Sequence, residues 1–285
     1  MPRQTDIIYA VPDQPNQLRL DSVARCNAEC LSCHRFMSTR KGEMPMNDIV
    51  RILDDVSKWQ IPLYELVPVN YGEFLLRKDW YEILSMITTK LPKTQIVLPT
   101  NGSTFTVSNV ERLCHIPTMH LINFSINAYF DETYKEFMNM SPKVLTMIER
   151  ACKILRALRP DIKLWASMVS SPRYQTDIER DMFKKHWSDK VDMVWVINAA
   201  SAGRDPDKPL IRNSVPCRSI FSDIVVGYDM KLSSCCFDSA FHLSLGEYSG
   251  DLKRDWHNKE LTELRRKHNE NERKDTDLCR ECSFA

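Results

Sequence analysis

The chain has 285 residues, 43% of them hydrophobic and 27% charged, which is enough to bury a sizeable core as one large α/β domain or one domain with a small appendage. Its net charge of +1 gives no bulk electrostatic case for nucleic acid or an anionic membrane surface, and no apolar run approaches the length of a membrane span. The segment Met1-Pro-Arg-Gln-Thr-Asp6 lacks an apolar signal core, which predicts a cytoplasmic protein. In that reducing compartment the ten cysteines read as metal ligands wherever they cluster, rather than as disulfides.

The first alternating run, Leu18-Arg-Leu-Asp-Ser-Val23, predicts a strand. Directly after it comes Cys26-Asn-Ala-Glu-Cys30-Leu-Ser-Cys33. Three thiols are one ligand too few for a structural zinc site, and His34 follows Cys33 too closely to join them easily. An iron–sulfur cluster can be held by three cysteines with its fourth iron open. Cys114 and Cys152 are isolated in helix-like segments and read as small buried hydrophobes.

Short β-rich runs then alternate with longer amphipathic ones. The expected strands are Leu18–Leu20, Tyr64–Val69, Thr94–Leu98, His120–Ile126, Ile162–Val169 and Asp192–Ile197. Between them, helices are expected over Asn47–Trp59, Asp79–Thr89, Val107–Cys114, Glu132–Ala157 and Thr176–Trp187. Six such units with right-handed crossovers predict a parallel sheet curled into a partial (β/α)6 TIM-type barrel. Functional groups of such sheets gather at the carboxyl ends of the strands. The cysteine loop lies at one such end, with Tyr71-Gly72-Glu73-Phe74, Thr100-Asn101-Gly102 and Ser125-Ile126-Asn127 at others. Gly72 is expected to let backbone approach a ligand, and Gly102 to supply a turn at positive φ.

From Ala199 to Pro216 a polar, proline-containing connector follows, carrying Arg204 and Arg212, which are either substrate anchors or solvated loop arginines. The division expected is a barrel over 1–205 and a small α+β domain over 206–285. In the latter, Ile220–Val226 and Lys231–Ser234 flank a hairpin turn, and Asp255–His268 reads as one helix with Leu261 and Leu264 on a common face. Cys217, Cys235 or Cys236, Cys279 and Cys282 make a four-thiolate set, for which spacing alone leaves zinc and iron–sulfur both open. Because neighbours in a strand face opposite ways, only one of Cys235 and Cys236 is expected to point at the metal; the other faces the core or serves as a hydrogen-atom donor.

Cys26-x3-Cys30-x2-Cys33 after the first strand resembles the cluster motif of radical S-adenosylmethionine (SAM) enzymes. Tyr71-Gly72-Glu73-Phe74 is similar to the family's Gly-Gly-Glu-Pro segment, keeping only its Gly72 and Glu73, and Ser125 to Asn127 occupies the place of its ribose-side strand end. The tail, with its Cys217, Cys235-Cys236 and Cys279-x2-Cys282, resembles the SPASM/twitch extension. The sequence departs from the family at Ser32, where an apolar or aromatic residue is usual, and at Asn127-Ala128, in place of Asp-Gly.

The resemblance implies a SAM-binding 4Fe-4S cluster on Cys26, Cys30 and Cys33, which are the catalytic metal ligands, and SAM itself against Gly72, Glu73, Ser125 and Asn127. It also implies an auxiliary 4Fe-4S cluster on Cys217, Cys235, Cys279 and Cys282, and an electron donor such as flavodoxin or ferredoxin. The expected reaction is hydrogen abstraction by a 5′-deoxyadenosyl radical from a small polar metabolite, sugar-like or aminocyclitol-like, ending in oxidation, epimerisation or rearrangement. Two alternatives stand beside it: modification of a ribosomally made peptide, and a non-catalytic protein stabilised by zinc at both sites.

Overall fold

The computed structural model describes residues 8–198, 216–280 and 282. Along each strand, alternate residues turn to opposite faces, and one face is apolar throughout: Leu18 and Leu20, Ile96 and Leu98, Ile122 and Phe124, Leu164 and Ala166 are all fully buried. Burying each such large side chain contributes about 1.5–3 kcal/mol. The amphipathic helices supply the other half of this core. In α1 (Met46–Val56) the buried positions Ile49, Ile52, Leu53 and Val56 recur at helical spacing.

The strands are β1 (Gln17–Asp21), β2 (Glu65–Val67), β3 (Gln95–Thr100), β4 (Met119–Ser125), β5 (Lys163–Ser170) and β6 (Met193–Asn198). They are joined through α1, α2 (Trp80–Lys90), α3 (Val107–Cys114), α4 (Asp131–Met138), α5 (Lys143–Leu158) and α6 (Asp177–Trp187). All pair in parallel in the order β6-β5-β4-β3-β2-β1, as expected of a partial TIM-type barrel. β2 is shorter than the expected Tyr64–Val69 because Pro68 has no N–H to give a ladder.

The tail does not form a sheet of its own. β7 (Asp223–Gly227) pairs in parallel with β1, and β8 (Leu232–Ser233) folds back antiparallel on β7, so the barrel sheet continues to eight strands. The expected boundary at 205/206, and Arg204 and Arg212 with it, lie outside the described residues. After β8 come α7 (Leu252–Trp256), α8 (Lys259–Asn269) and α9 (Asp277–Arg280). They are pinned to the barrel: Leu252 N–H and Tyr248 O–H donate to Asp55 on α1 at 2.7 and 3.0 Å, and Trp256 Nε1 donates to the Pro12 carbonyl at 2.8 Å.

Three expected elements are corrected. The helix expected over 132–157 is two, because Asn139 adopts the left-handed conformation (φ 50°) and Pro142 starts the second. The helix expected over 255–268 is also two. Asn258 caps α8 by accepting from Leu261 N–H at 2.8 Å, an arrangement that needs extended backbone at residue 258. The strand expected from Ile220 begins at Asp223, after a short 3-10 turn over Arg218–Phe221.

Among the described residues no helix is long and apolar enough to cross a membrane.

Candidate functional site

The cysteine loop leaves β1 through Ser22, whose Oγ donates to the Pro68 carbonyl at 2.5 Å. Its base is closed by Ala24 N–H on Gly42 O (2.9 Å) and Met44 N–H on Ser22 O (2.8 Å). Arg77, 3% exposed, donates to the Ser22 and Met44 carbonyls and forms a bidentate pair with Asp79. The far side of the loop rests on the end of α4, where Glu29 and Leu31 N–H donate to Met138 O and Phe137 O. Cys33 N–H on Cys30 O (2.9 Å) turns the last two thiols together.

Cys26, Cys30 and Cys33 line one cavity of about 310 Å³ at the carboxyl ends of the strands, together with Gly72, Glu73, Ser125 and Asn127. Backbone N–H groups point at two of the sulfurs: Ala28 at Cys26 Sγ and Arg35 at Cys33 Sγ, both 3.4 Å. Burial, with neighbouring thiols adding to it, pushes Cys30 up to about 12; burial likewise raises Cys26 and Cys33. These sulfurs are therefore protonated without a metal, and metal binding must release the protons.

Glu73 is 1% exposed and held by Thr100 Oγ1 (2.9 Å) and Asn101 N–H (2.7 Å). Burial raises its carboxyl to about 7 in spite of these donors. Asn127 sits at φ 64°, a conformation a short polar side chain tolerates, and its Oδ1 accepts from Val169 N–H at 2.8 Å. Gly72 is needed for a different reason from the one expected. A Cβ there would lie 2.0 Å from Val23 O and 2.9 Å from Arg25 O, so it is the backbone of the cysteine loop, not a ligand, that excludes a side chain. Gly102 does occupy positive φ, at 77°.

Several lining residues carry no sequence signal of their own. Met138 Sδ lies 3.3 Å from Cys30 Sγ and 3.0 Å from Asn127 Nδ2. Asn101 Nδ2 points at Cys26 Sγ from 3.7 Å; the Thr-Asn-Gly turn marked its place but not this contact. His34, Tyr71 and Phe237 form an aromatic wall, with centroids 6.4 Å apart for the first pair and 5.2 Å for His34 and Phe237.

Cys217, Cys235, Cys236, Cys279 and Cys282 all line a second cavity. Cys235 and Cys236 lie beyond β8 in a turn, not in a strand, so both reach it, contrary to the expected alternation. Fully buried Asp238 shapes this turn by accepting from Ser233 Oγ and from the N–H groups of His242 and Leu243. Burial raises Cys235 well above its usual range, Cys236 to about 11 and Cys279 to about 12. Among the described residues no three His, Cys, Asp or Glu side chains converge as they would on a single metal ion.

An open parallel α/β barrel with a three-cysteine loop after its first strand is the architecture of enzymes that cleave SAM reductively. The radical SAM superfamily matches residues 22–180, more than half of the chain, and the protein belongs to that superfamily. The family implies a 4Fe-4S cluster and SAM. A comparison with curated proteins finds no match. Among solved structures the chain is similar to BtrN in complex with AdoMet and 2-DOIA, at 17% identity and TM-score 0.62 over 98% of this chain and 95% of that one. It is similar to anSMEcpe with bound AdoMet at 15% identity and TM-score 0.69, covering 93% and 87%. With Streptococcus suis SuiB bound to precursor peptide SuiA it shares 15% identity and TM-score 0.66, covering 88% of this chain and 66% of that one.

Proposed function

We propose that this protein binds a 4Fe-4S cluster on Cys26, Cys30 and Cys33, holds SAM against it, and oxidises or rearranges a small polar metabolite with help from an auxiliary cluster in the tail. The observation that carries this reading is the shared cavity: three half-buried thiols face Glu73, Ser125 and Asn127 across one space.

The donor set suits the cluster. Cys26 and Cys33 each receive a backbone N–H at sulfur and Cys26 also faces the Asn101 amide, which favours thiolate over thiol once iron is present. When bound, the reduced cluster and SAM supply a 5′-deoxyadenosyl radical able to remove a hydrogen atom from an unactivated carbon. The chain's own residues position the reactants. Glu73 offers a buried carboxylate to the SAM ammonium, its orientation fixed by Thr100 and Asn101. Ser125 and Asn127 receive the ribose side, while Met138 and the His34–Tyr71–Phe237 wall keep water from the reacting carbon.

The five thiols of the second cavity exceed the four an auxiliary cluster needs, leaving one of Cys235 and Cys236 over. Such a cluster has no open position and serves as an electron acceptor, which favours two-electron oxidation. Reduction of the first cluster falls to a donor of the flavodoxin or ferredoxin type. The reading of a small-molecule substrate leans on the likeness to BtrN, solved with AdoMet and 2-DOIA, over 98% of this chain; anSMEcpe, solved also with a Cp18Cys peptide, matches over 93% and keeps peptide modification as the second reading.

Anaerobic reconstitution tests this reading. Protein supplied with iron, sulfide, SAM and reductant should become brown and release 5′-deoxyadenosine faster with polyhydroxylated or amino-sugar metabolites than with peptides. Acceleration by peptides alone would move the assignment to peptide modification, and a colourless zinc protein would overturn it.

A further inference from the structure

His268 lies near the end of α8, 1% exposed, with its ring on the wall of the five-thiol cavity. Its Nδ1 accepts the backbone N–H of Cys217 at 3.1 Å. A ring nitrogen that accepts an N–H carries no proton, so the ring's proton is on Nε2. Nε2 is buried and has no hydrogen-bond partner among the described residues. A buried donor left unpaired is costly, and native proteins rarely keep one without a use.

The ring cannot turn freely to relieve this. α8 is fixed at its start by the Asn258 cap and through its middle by Arg265, which donates to the Ile220 and Trp256 carbonyls at 2.8 and 2.7 Å and stacks on Trp256. Rotating the imidazole would orphan the Cys217 N–H instead.

The same tautomer excludes His268 as an iron ligand. A ligating imidazole presents a bare nitrogen to the metal and donates from the other nitrogen to a second-shell acceptor. Here the nitrogen away from Cys217 bears the hydrogen, and the nitrogen that lacks it faces a donor.

We infer that His268 is a hydrogen-bond donor to a sulfur of the auxiliary cluster, supplied from the second cavity and oriented by Cys217. This rests on the reading of that cavity as an iron–sulfur site. A hydrogen bond to a cluster sulfur stabilises the extra electron of the reduced form and so raises the potential. Arg273, whose Nη2 donates to Cys282 O at 3.4 Å on the same cavity wall, adds positive charge in the same sense. His268 therefore makes the tail a better electron acceptor without occupying a coordination position.

The test uses full-length protein with Cys26, Cys30 and Cys33 all replaced by Ala, so that only the tail carries iron. Redox titration followed by electron paramagnetic resonance, with iron and sulfide analysis, is then compared for His268, His268→Ala and His268→Gln. Full iron content in all three is expected, with a lower potential for His268→Ala. In His268→Gln the potential should return toward the parent, because the amide can accept from Cys217 and still donate. An unchanged potential in His268→Ala overturns the inference. So does loss of iron in both variants, which would make His268 a ligand or a purely structural residue. If the parent triple variant holds no iron–sulfur cluster, the reading of the cavity itself fails and this inference goes with it.

Discussion

The rings of His34 and Phe237 lie 5.2 Å apart, and each directly follows a cysteine, Cys33 in the barrel loop and Cys236 in the tail. Ser239 Oγ strengthens the junction by donating to the His34 carbonyl at 2.7 Å. Phe237 lines both cysteine cavities, so one aromatic ring separates the two proposed cluster sites. Phe237→Ala should leave iron content unchanged and weaken SAM binding by about two- to tenfold, the worth of one aromatic contact. Equilibrium binding of SAM measures it, and unchanged affinity would mean that the ring serves the tail alone.

The five tail thiols outnumber the ligands of one cluster, and single substitutions separate them. Cys217→Ala, Cys279→Ala and Cys282→Ala should each lose the tail iron while SAM cleavage by the barrel site continues. Of Cys235→Ala and Cys236→Ala, one should lose it and the other retain it. Iron analysis in parallel with 5′-deoxyadenosine release distinguishes all five. Replacing Cys26, Cys30 or Cys33 should have the opposite pattern.

Much of this was legible in the residues. The alternation of Leu18 and Leu20, the repeated strand–helix spacing and the Cys-x3-Cys-x2-Cys loop each follow from local rules, and the parallel barrel and its cysteine-bearing rim follow from them together. What escaped were contacts between distant segments. Nothing near Met138 marks it as a neighbour of Cys30, 108 positions away, and nothing near Phe237 places it beside His34. The tail's strand pairing with β1 is likewise non-local, and nothing in the residues of β1 or β7 marks them as neighbours. The break between α4 and α5 rests on Asn139 at φ 50° and on Pro142 at the start of α5, while apolar periodicity runs on both sides of it.

Gly72 supports a stability prediction. The atoms that a Cβ would strike, Val23 O and Arg25 O, are backbone, and Arg25 O is also the acceptor for Glu73 N–H at 2.9 Å. Neither can swing aside as a side chain would. Gly72→Ala should therefore cost about 1–3 kcal/mol through overpacking, or more if the loop cannot shift. It should also lower iron loading at the barrel site, because relief of the clash moves the cysteine loop away from Glu73. Thermal unfolding of the metal-free protein and iron content after reconstitution read the two effects. A variant as stable as the parent would show that this approach is looser than the geometry indicates.

Glu73 gives opposite pH trends for folding and for SAM binding. Its carboxyl is raised from 4.5 to about 7, with burial as the main cause. A carboxyl whose pKa is higher in the folded state favours folding most below the unfolded value, and that contribution is lost as pH rises toward the folded one. The metal-free protein should thus lose up to about 3 kcal/mol from this group between pH 4.5 and about 7. The proposed contact of Glu73 with the SAM ammonium predicts the reverse slope for SAM binding, because the ammonium seeks the ionised carboxylate. Below about 7 the affinity should fall with decreasing pH, by at most about tenfold per unit. The midpoint temperature with and without SAM, followed from pH 5.5 to 8.5, measures both slopes. Glu73→Gln removes the titrating group and should flatten them together. If the SAM-induced rise keeps its pH dependence in Glu73→Gln, another group receives the ammonium.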